Sequence, residues 1–169
     1  AMEENAPQIV VNGKKAKVNK IEAVIPYLSR PYGDVPHAWG YGRVSTLDQD
    51  VTGMAGRMIC EQHFKLRHEP QGYAWGGFFC DGAAAGSSPF EDRDAAKAII
   101  SLMQPGDAII AHKSDRFYRS LLDYAKTIEA LSEIQVALYM CDTGLDTSTD
   151  MGEMICGITA VIAQGEKKR

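Results

Sequence analysis

The sequence lacks the long apolar segments that hold a protein in a membrane or direct it out of the cell. No stretch approaches the roughly 20 uninterrupted apolar residues that are needed to cross a bilayer. The first residues, AMEENAPQ, do not show the basic and then apolar order of a secretory signal. We therefore expect a cytoplasmic protein that has no membrane partner.

The sequence also lacks closely spaced cysteine pairs and a net positive charge. The four cysteines form no Cys-x-x-Cys pair and stand among apolar or small neighbours, which predicts buried free thiols rather than disulfides or metal ligands. The 18 Lys and Arg residues against 22 Asp and Glu residues give a formal net charge of −4, so the chain has no overall attraction for a polyanion. Any nucleic-acid role must come from local charge placement.

The chain is long enough for one compact domain with a short appendage, since it has 169 residues of which 45% are hydrophobic. Residues 1–37 are interpreted as an N-terminal extension or linker of unknown role, because a Pro-Gly cluster at 30–36 separates them from the rest of the chain. Within the extension, residues 21–28 are expected to form a short strand or helical turn that docks on the main domain. The main domain is predicted to span 38–169.

Short apolar runs alternate with helical patterns in the main domain. The apolar runs predict strands at 39–44, 76–80, 108–111 and 136–141. The intervening patterns predict helices at 49–67, 93–103 and 120–132. This βαβ alternation predicts a three-layer α/β fold, in which a mostly parallel, doubly wound sheet is covered by helices on both faces. Functional residues are then expected at the carboxyl ends of the strands.

A last helix is predicted to begin near Met151, and it carries more apolar surface than one sheet can cover. The apolar residues on this helix are Met151, Met154, Ile155, Ile158, Val161 and Ile162. A second subunit is the simplest partner for this surface, although Gly157 and Gly165 each cost a helix about 1 kcal/mol. We therefore predict an oligomerisation helix over 151–169.

The end of the first predicted strand gathers three polar side chains. Tyr41, Arg43 and Ser45 project from the same face, because side chains alternate along a strand. Arginine presents a planar fork that matches two phosphate oxygens, so the Ser45 hydroxyl would lie beside a bound phosphate. Alternatively, Ser45 or Thr46 caps the next helix, since Thr46 to Gln49 fits a capping box. This segment alone leaves both interpretations open.

A second polar cluster follows the third predicted strand, at residues 112–119. If a helix starts there, Arg116 and Arg119 share one face near its positive end, which suits an oxyanion. Asp115 would orient an arginine or carry a proton, or it would be the N-cap of that helix. His112 and Lys113 are interpreted as solvent-facing residues at the end of the strand.

The two clusters are expected to share one crevice, because their strands are predicted to be neighbours in the sheet. A hydroxyl nucleophile among guanidinium groups suits phosphoryl transfer through a covalent phosphoserine. Metal-dependent cleavage would need two or more carboxylates at one strand end, and the sequence has no such cluster. A serine hydrolase would place its nucleophile in Gly-x-Ser-x-Gly, whereas Ser45 stands in Arg-Val-Ser-Thr-Leu.

Four motifs follow one another along the chain. They are Tyr41-Gly42-Arg43-Val44-Ser45-Thr46, then Asp81 with Gly86-Ser87-Ser88, then Asp115-Arg116-x-x-Arg119-Ser120, then Leu145-Asp146-Thr147-Ser148-Thr149-Asp150-Met151-Gly152. In this order they resemble the catalytic domain of serine recombinases of the resolvase/invertase type. The resemblance implies a resolvase-like fold over 38–169, with 151–169 as the start of a dimerisation helix. It also implies a separate DNA-binding domain beyond Arg169.

The resemblance further implies a site-specific recombinase that uses no metal and no cofactor. Its nucleophile would cleave double-stranded DNA through a 5′-phosphoserine intermediate. The implied catalytic residues are Ser45, Arg43, Asp115, Arg116 and Arg119, and the residues implied to contact DNA phosphate or support the site are Tyr41, Gln49, Asp81 and Arg93. Family members work as homodimers and homotetramers, and they exchange DNA ends by subunit rotation. The alternative is a domain of the same fold that is kept as a non-catalytic interaction or regulatory module.

Overall fold

The computed structural model describes residues 30, 32–44, 53–82 and 87–168, together with the backbone of residues 8–11 and 14–17. Six strands are described: β1 (Gln8–Val11), β2 (Lys14–Lys17), β3 (His37–Arg43), β4 (Ala74–Asp81), β5 (Ala108–Ala111) and β6 (Ala137–Met140). They form one sheet in the order β2-β1-β4-β3-β5-β6.

The four strands predicted from the sequence form the parallel part of this sheet. β3 pairs in parallel with both β4 and β5, and β5 pairs in parallel with β6. This confirms the predicted α/β fold with a mostly parallel sheet. It also confirms that β3 and β5, which precede the two polar clusters, are direct neighbours.

The N-terminal extension contributes two strands that the sequence analysis did not predict. β1 pairs antiparallel with β4, and β2 pairs antiparallel with β1. The added strands cover the backbone of β4, which would otherwise be an open edge of the parallel sheet. The segment predicted at 21–28 lies outside the described residues.

In the described part of the chain, five α-helices accompany the strands: α1 (Met54–His63), α2 (Asp94–Leu102), α3 (Ser114–Phe117), α4 (Leu121–Glu133) and α5 (Asp150–Lys167). α1 continues through a π-helical turn (Phe64–His68) and a 3₁₀ turn (Glu69–Gln71). The helix predicted from residue 49 therefore begins at Met54 as described, and residues 49–52 lie outside the described part of the chain. Ser120 caps α4, because its hydroxyl accepts a hydrogen bond from the Asp123 amide at 3.1 Å.

Helices cover both faces of the sheet, as predicted. On one face, alternate strand residues such as Trp39, Phe79 and Ile109 pack with apolar residues of α2 and α4. On the other face, Phe78 and Ile110 belong to a second core that includes residues of α1 and of the π-helical turn. Three cysteines are buried, namely Cys60, Cys80 and Cys156, and the fourth, Cys141, is half-buried. All four are free thiols, as predicted.

A buried carboxylate ties the end of the N-terminal extension to the sheet. Asp107, just before β5, accepts hydrogen bonds from the guanidinium of Arg30, the amide of His37 and the indole of Trp39. Burial raises the pKa of Asp107, but these donors outweigh burial and hold the pKa below its usual value. The ion pair lies at the opposite end of the strands from the predicted site.

α5 leaves its large apolar side chains exposed, which agrees with the predicted excess of apolar surface. Its buried residues are small, namely Gly152, Cys156 and Ala163. The exposed residues are Met151, Met154, Ile155, Ile158, Val161 and Ile162. Among the described helices, none is both long enough and apolar enough to span a bilayer.

Candidate active site

The carboxyl ends of three neighbouring strands bring several predicted site residues to one edge of the sheet. Arg43, the last residue of β3, pairs in register with Asp81, the last residue of β4. His112 follows β5, and its backbone amide donates a hydrogen bond to the Tyr41 oxygen at 2.9 Å. The two polar clusters of the sequence therefore meet at this edge.

The predicted nucleophile, Ser45, and its neighbour Gln49 lie outside the described residues. The chain is placed up to Val44, whose amide donates a hydrogen bond to the Asp81 oxygen at 3.1 Å. The alternative, in which Ser45 or Thr46 caps the next helix, also falls on residues outside the described part of the chain. In that part, α1 begins at Met54 with Gly53 at its N-cap position.

Arg43 and Arg116 line one cavity at this edge, which has a volume of about 170 Å³. Arg43 Nε donates a hydrogen bond to the backbone oxygen of Arg116 at 3.4 Å, which links the end of β3 to α3. His112 and Lys113 also line the cavity. The residues that line the cavity therefore include two arginines, a lysine and a histidine.

The electrostatics of Arg43 reflect this concentration of positive charge. Partial burial lowers the pKa of Arg43, and the nearby charges of Arg93 and Arg116 lower it further. Guanidinium groups remain charged at neutral pH in spite of such a shift. An anion bound in the cavity would relieve their mutual repulsion, so the arrangement suits an oxyanion.

Arg93 lies in the interior and joins the loop before α2 to the site, with only 2% of its surface exposed. Its Nη1 donates hydrogen bonds to the backbone oxygens of Arg116 and Phe117, at 2.7 and 2.9 Å, and to the Tyr41 hydroxyl at 3.1 Å. Its Nε donates to the Ser88 oxygen at 3.0 Å. These contacts are internal, so in this structure Arg93 holds α3 in place rather than facing a ligand.

Tyr41 and Asp81 extend the same buried network. The Tyr41 hydroxyl donates a hydrogen bond to Asp81 Oδ2 at 2.9 Å, and the Ala95 amide donates to Asp81 Oδ1 at 2.7 Å. Burial, and then the charge of Asp81, raises the pKa of Tyr41 well above its usual value. Burial also raises the pKa of Asp81, although these two hydrogen bonds oppose the shift. Both side chains therefore make their contacts in the protein interior.

Asp115 and Arg116, which are consecutive residues of α3, differ in the exposure of their side chains. The side chain of Asp115 is 74% exposed, whereas that of Arg116 is 13% exposed, and Asp115 Oδ2 lies 3.9 Å from Arg116 Nε. The N-cap position of α3 is Lys113, so the alternative interpretation of Asp115 as the N-cap is wrong.

Arg119 does not share a helix face with Arg116, which corrects the sequence analysis. α3 ends at Phe117 because Tyr118 adopts an extended backbone, and Arg119 lies in the connection to α4. Arg119 Nη1 donates a hydrogen bond to the Ser87 oxygen, in the segment before α2, at 3.3 Å. The Arg119 amide donates to Asp123 Oδ2 at 3.2 Å.

Asp123 is a residue of the site region that the sequence analysis missed. It is buried, and it fixes both the start of α4 and the backbone of Arg119. The spacing of Ser120 and Asp123 fits the Ser/Thr-x-x-Asp/Glu capping pattern, so a search for that pattern would have found it.

In the part of the chain that the structure describes, no group of three or more His, Cys, Asp or Glu residues is placed to hold a metal ion.

Residues 38–169 match the family described as Resolvase, N terminal domain, and the chain belongs to this family. Transposon Tn3 resolvase of Escherichia coli is 29% identical over 131 residues, which are 78% of this chain and 64% of that protein. Serine recombinase PinR of Escherichia coli strain K12 is 27% identical over 130 residues, which are 76% of this chain and 62% of that protein. The chain thus spans less than two thirds of the length of these relatives.

Two solved structures share the fold. The N-terminal catalytic domain of TP901-1 integrase has a TM-score of 0.62 and 21% identity, and the match covers 78% of this chain and 97% of that one. A resolvase family site-specific recombinase from Streptococcus pneumoniae has a TM-score of 0.55 and 19% identity, with 79% and 89% coverage. The α/β fold of this chain is therefore that of recombinase catalytic domains.

Proposed function

We propose that this chain is the catalytic domain of a site-specific DNA recombinase, with residues 38–169 forming the domain and Ser45 acting as the nucleophile. Family membership supports the class of activity. The observation that carries the proposal is that Arg43 and Arg116 line one cavity at the sheet edge from which the chain runs through Val44 to Ser45.

In the proposed reaction, Ser45 Oγ attacks the phosphorus of a DNA phosphodiester and the bond from phosphorus to the 3′ oxygen breaks. The serine hydroxyl loses its proton, and the 3′ oxygen leaves as a hydroxyl group. The product is a 5′-phosphoserine link whose energy is close to that of the original diester. The reverse attack by a 3′-hydroxyl therefore rejoins the DNA without ATP.

The arginines bind the phosphate and stabilise the charge that develops on it. Arg43 and Arg116 do so from the cavity, and Arg119 from the connection between α3 and α4, with Asp115 orienting Arg116. The buried network of Tyr41, Asp81 and Arg93 holds the backbone of α3, while Gln49 supports the nucleophile.

We further propose that the enzyme cuts both strands of double-stranded DNA as a homotetramer built from dimers, and that it exchanges ends by subunit rotation. The exposed apolar residues of α5 support a dimer contact through that helix. The formal charge of −4 supports a separate DNA-binding domain beyond Arg169, since site recognition needs phosphate and base contacts that an acidic domain supplies poorly.

The test is the formation of a covalent protein–DNA adduct by the protein that carries this chain, on DNA that contains its target site. The DNA is labelled either on the 5′ side or on the 3′ side of the cleavage point, and adducts are separated under denaturing conditions. We expect the label on the 5′-phosphate fragment to stay with the protein, and peptide mass spectrometry to place the phosphoryl group on Ser45. The matched control is Ser45→Ala.

The two candidate functions give different results. A recombinase loses its adducts in Ser45→Ala while site binding remains nearly intact. Equal adduct yield from that variant would remove Ser45 from the mechanism. A non-catalytic interaction module of the same fold gives no adduct with either protein.

A further inference from the structure

His112 stands on the wall of the cavity that Arg43 and Arg116 also line. It is the first residue after β5, and its backbone amide is fixed by the 2.9 Å hydrogen bond to the Tyr41 oxygen. The side chain is half-buried, in contrast to the buried His37 and His68. The sequence analysis interpreted His112 as a solvent-facing residue at a strand end, and the structure places it at that strand end, half-buried and lining a cavity.

Gly56 of α1 allows the imidazole to occupy this position. A Cβ atom built on Gly56 would lie 2.9 Å from Nδ1 of His112 and 3.2 Å from the ring of Phe78. Any larger residue at position 56 would therefore push the imidazole or the Phe78 ring away. Because α1 approaches so closely, it limits the movement of the ring and keeps it on the cavity wall.

The other groups that line the cavity make it a site for an anion. Arg43 faces it from β3, Arg116 from α3 and Lys113 from the segment after β5, while β4 contributes the thiol of Cys80. α1 contributes the uncharged residues Gly53, Ala55 and Gly56. None of the described lining residues is a carboxylate. Two acidic residues of the site are engaged elsewhere or exposed: Asp81 accepts hydrogen bonds from Tyr41 and Ala95, and the side chain of Asp115 is mostly exposed.

The cavity has room for a tetrahedral oxyanion, because its volume of about 170 Å³ far exceeds the roughly 15 Å³ that one water molecule requires. An imidazole beside two guanidinium groups and a bound phosphate can add a further hydrogen bond when it is protonated, and the charge on both partners strengthens that bond.

We propose that His112 is an additional phosphate-binding residue of this site, whose protonation makes phosphate binding dependent on pH. The inference rests on the proposed function for the identity of the ligand as a DNA phosphate. A bound anion favours the imidazolium form, so it raises the pKa of His112. By linkage, the affinity of the site for phosphate decreases as the pH rises through the range in which His112 loses its proton.

The experiment is an NMR titration of the imidazole groups of the 169-residue chain with sulfate, whose charge stays constant over the pH range used. Titrations at about pH 5.5 and about pH 8 lie on either side of the usual imidazole pKa near 6.5. We expect the pKa of His112 to rise with sulfate, and sulfate to bind about tenfold more tightly at the lower pH, as a hydrogen bond between charged partners would give.

Three variants make the test specific. His112→Gln should bind sulfate weakly at both pH values, and His112→Lys should bind it at both pH values, because lysine stays charged throughout. His63→Gln is the matched control, since His63 is half-buried at the far end of α1, with Nδ1 3.0 Å from the Tyr139 hydroxyl. In His63→Gln, the effect of sulfate on the pKa of His112 and the pH dependence of sulfate binding should match those of the unmodified chain. These variants also remove one imidazole signal each and so assign the signals of His112 and His63.

An unchanged pKa of His112 in sulfate, or the same pH-dependent binding in His112→Gln, would overturn the inference. Its failure is distinguishable from failure of the proposed function. If Ser45 forms DNA adducts but sulfate leaves His112 unchanged, only the role of His112 is lost. If sulfate raises the pKa of His112 but no adduct forms, the site binds anions without the proposed chemistry.

Discussion

A hydrogen bond of 2.7 Å joins the guanidinium of Arg93 to the backbone oxygen of Arg116. The backbone of Arg116 is thus held by a buried guanidinium group at the N-cap position of α2. The same guanidinium also reaches Phe117 and Tyr41, so a single side chain connects α2, α3 and β3. The position of the cavity wall depends on this connection.

Arg93→Lys is expected to lower the free energy of unfolding by about 2–4 kcal/mol, because an ammonium group cannot serve four acceptors in the geometry of the guanidinium fork. Urea denaturation measures the change. The matched control is Arg57→Lys, since Arg57 forms a partly exposed i,i+4 ion pair with Glu61 and should contribute less than about 0.5 kcal/mol. Equal losses in the two variants would contradict the role assigned to Arg93.

Two glycines of α5 are expected to respond in opposite directions to alanine. A Cβ on Gly152 would overlap the backbone oxygen of Asp146, whereas a Cβ on Gly157 would meet no described atom within 4 Å. Gly152→Ala should therefore destabilise the protein by about 2 kcal/mol or more. Gly157→Ala should stabilise it by up to about 1 kcal/mol, because alanine favours the helix. Thermal unfolding of both variants checks the prediction, and a stable Gly152→Ala protein would argue against the packing of this turn.

The stability of the chain is expected to fall as the pH drops below about 6.5, the usual imidazole pKa. Burial lowers the pKa of His68, and the charges of Arg67 and His63 lower it further, while Asp146 opposes the shift. Burial and Arg67 likewise lower the pKa of His63. The native state therefore keeps both imidazoles neutral at a pH where the unfolded chain binds protons, so acid favours unfolding.

Urea denaturation between about pH 7.5 and about pH 5 measures this effect, because the window lies around the unfolded-state pKa of histidine and above that of aspartate. His68→Phe keeps a ring in the same buried place and should reduce the loss of stability. An unchanged pH dependence in His68→Phe would show that another group causes the loss. Asp146, whose pKa is lowered by hydrogen bonds from Ser148 and Arg67 in spite of burial, should add a separate loss only below about pH 4.

Self-association is expected to depend on the apolar surface of α5. Val161 is 69% exposed on this helix, and Leu66 is 71% exposed on the π-helical turn. Val161→Lys should shift the chain towards monomers in sedimentation experiments, because it places a charge in the proposed dimer contact. Leu66→Lys is the matched control and should leave the association unchanged. Loss of association in Leu66→Lys but not in Val161→Lys would show that the contact does not lie on α5.

The parallel sheet could be predicted because strand-sized apolar runs alternate with helical periods, and the pattern needs no knowledge of long-range contacts. The meeting of Arg43 with Arg116 followed from the same reasoning, since parallel neighbours end at one edge of the sheet. The N-terminal strands were missed although the sequence contains a hairpin signal: Asn12-Gly13 stands between Gln8–Val11 and Lys14–Lys17.

Two features of the site could not be predicted from periodicity. The break between α3 and α4 depends on the extended backbone at Tyr118 and on the cap formed by Ser120, so a helical spacing of Arg116 and Arg119 was misleading. The burial of Arg93 depends on carbonyl oxygens that several elements supply. A charged residue is expected to be exposed. Only the folded chain shows the carbonyl acceptors that allow Arg93 to be buried.

The measurement that tests the central claim most directly is the rate of covalent adduct formation by Arg43→Lys in the protein that carries this chain. Lysine keeps the positive charge but cannot offer two parallel donors to a phosphate. We predict that the rate falls by about 100-fold or more, the range seen when one donor to a developing oxyanion is lost, while binding to the DNA site remains. A variant that forms adducts at the unmodified rate would contradict a mechanism in which Arg43 grips the phosphate that Ser45 attacks.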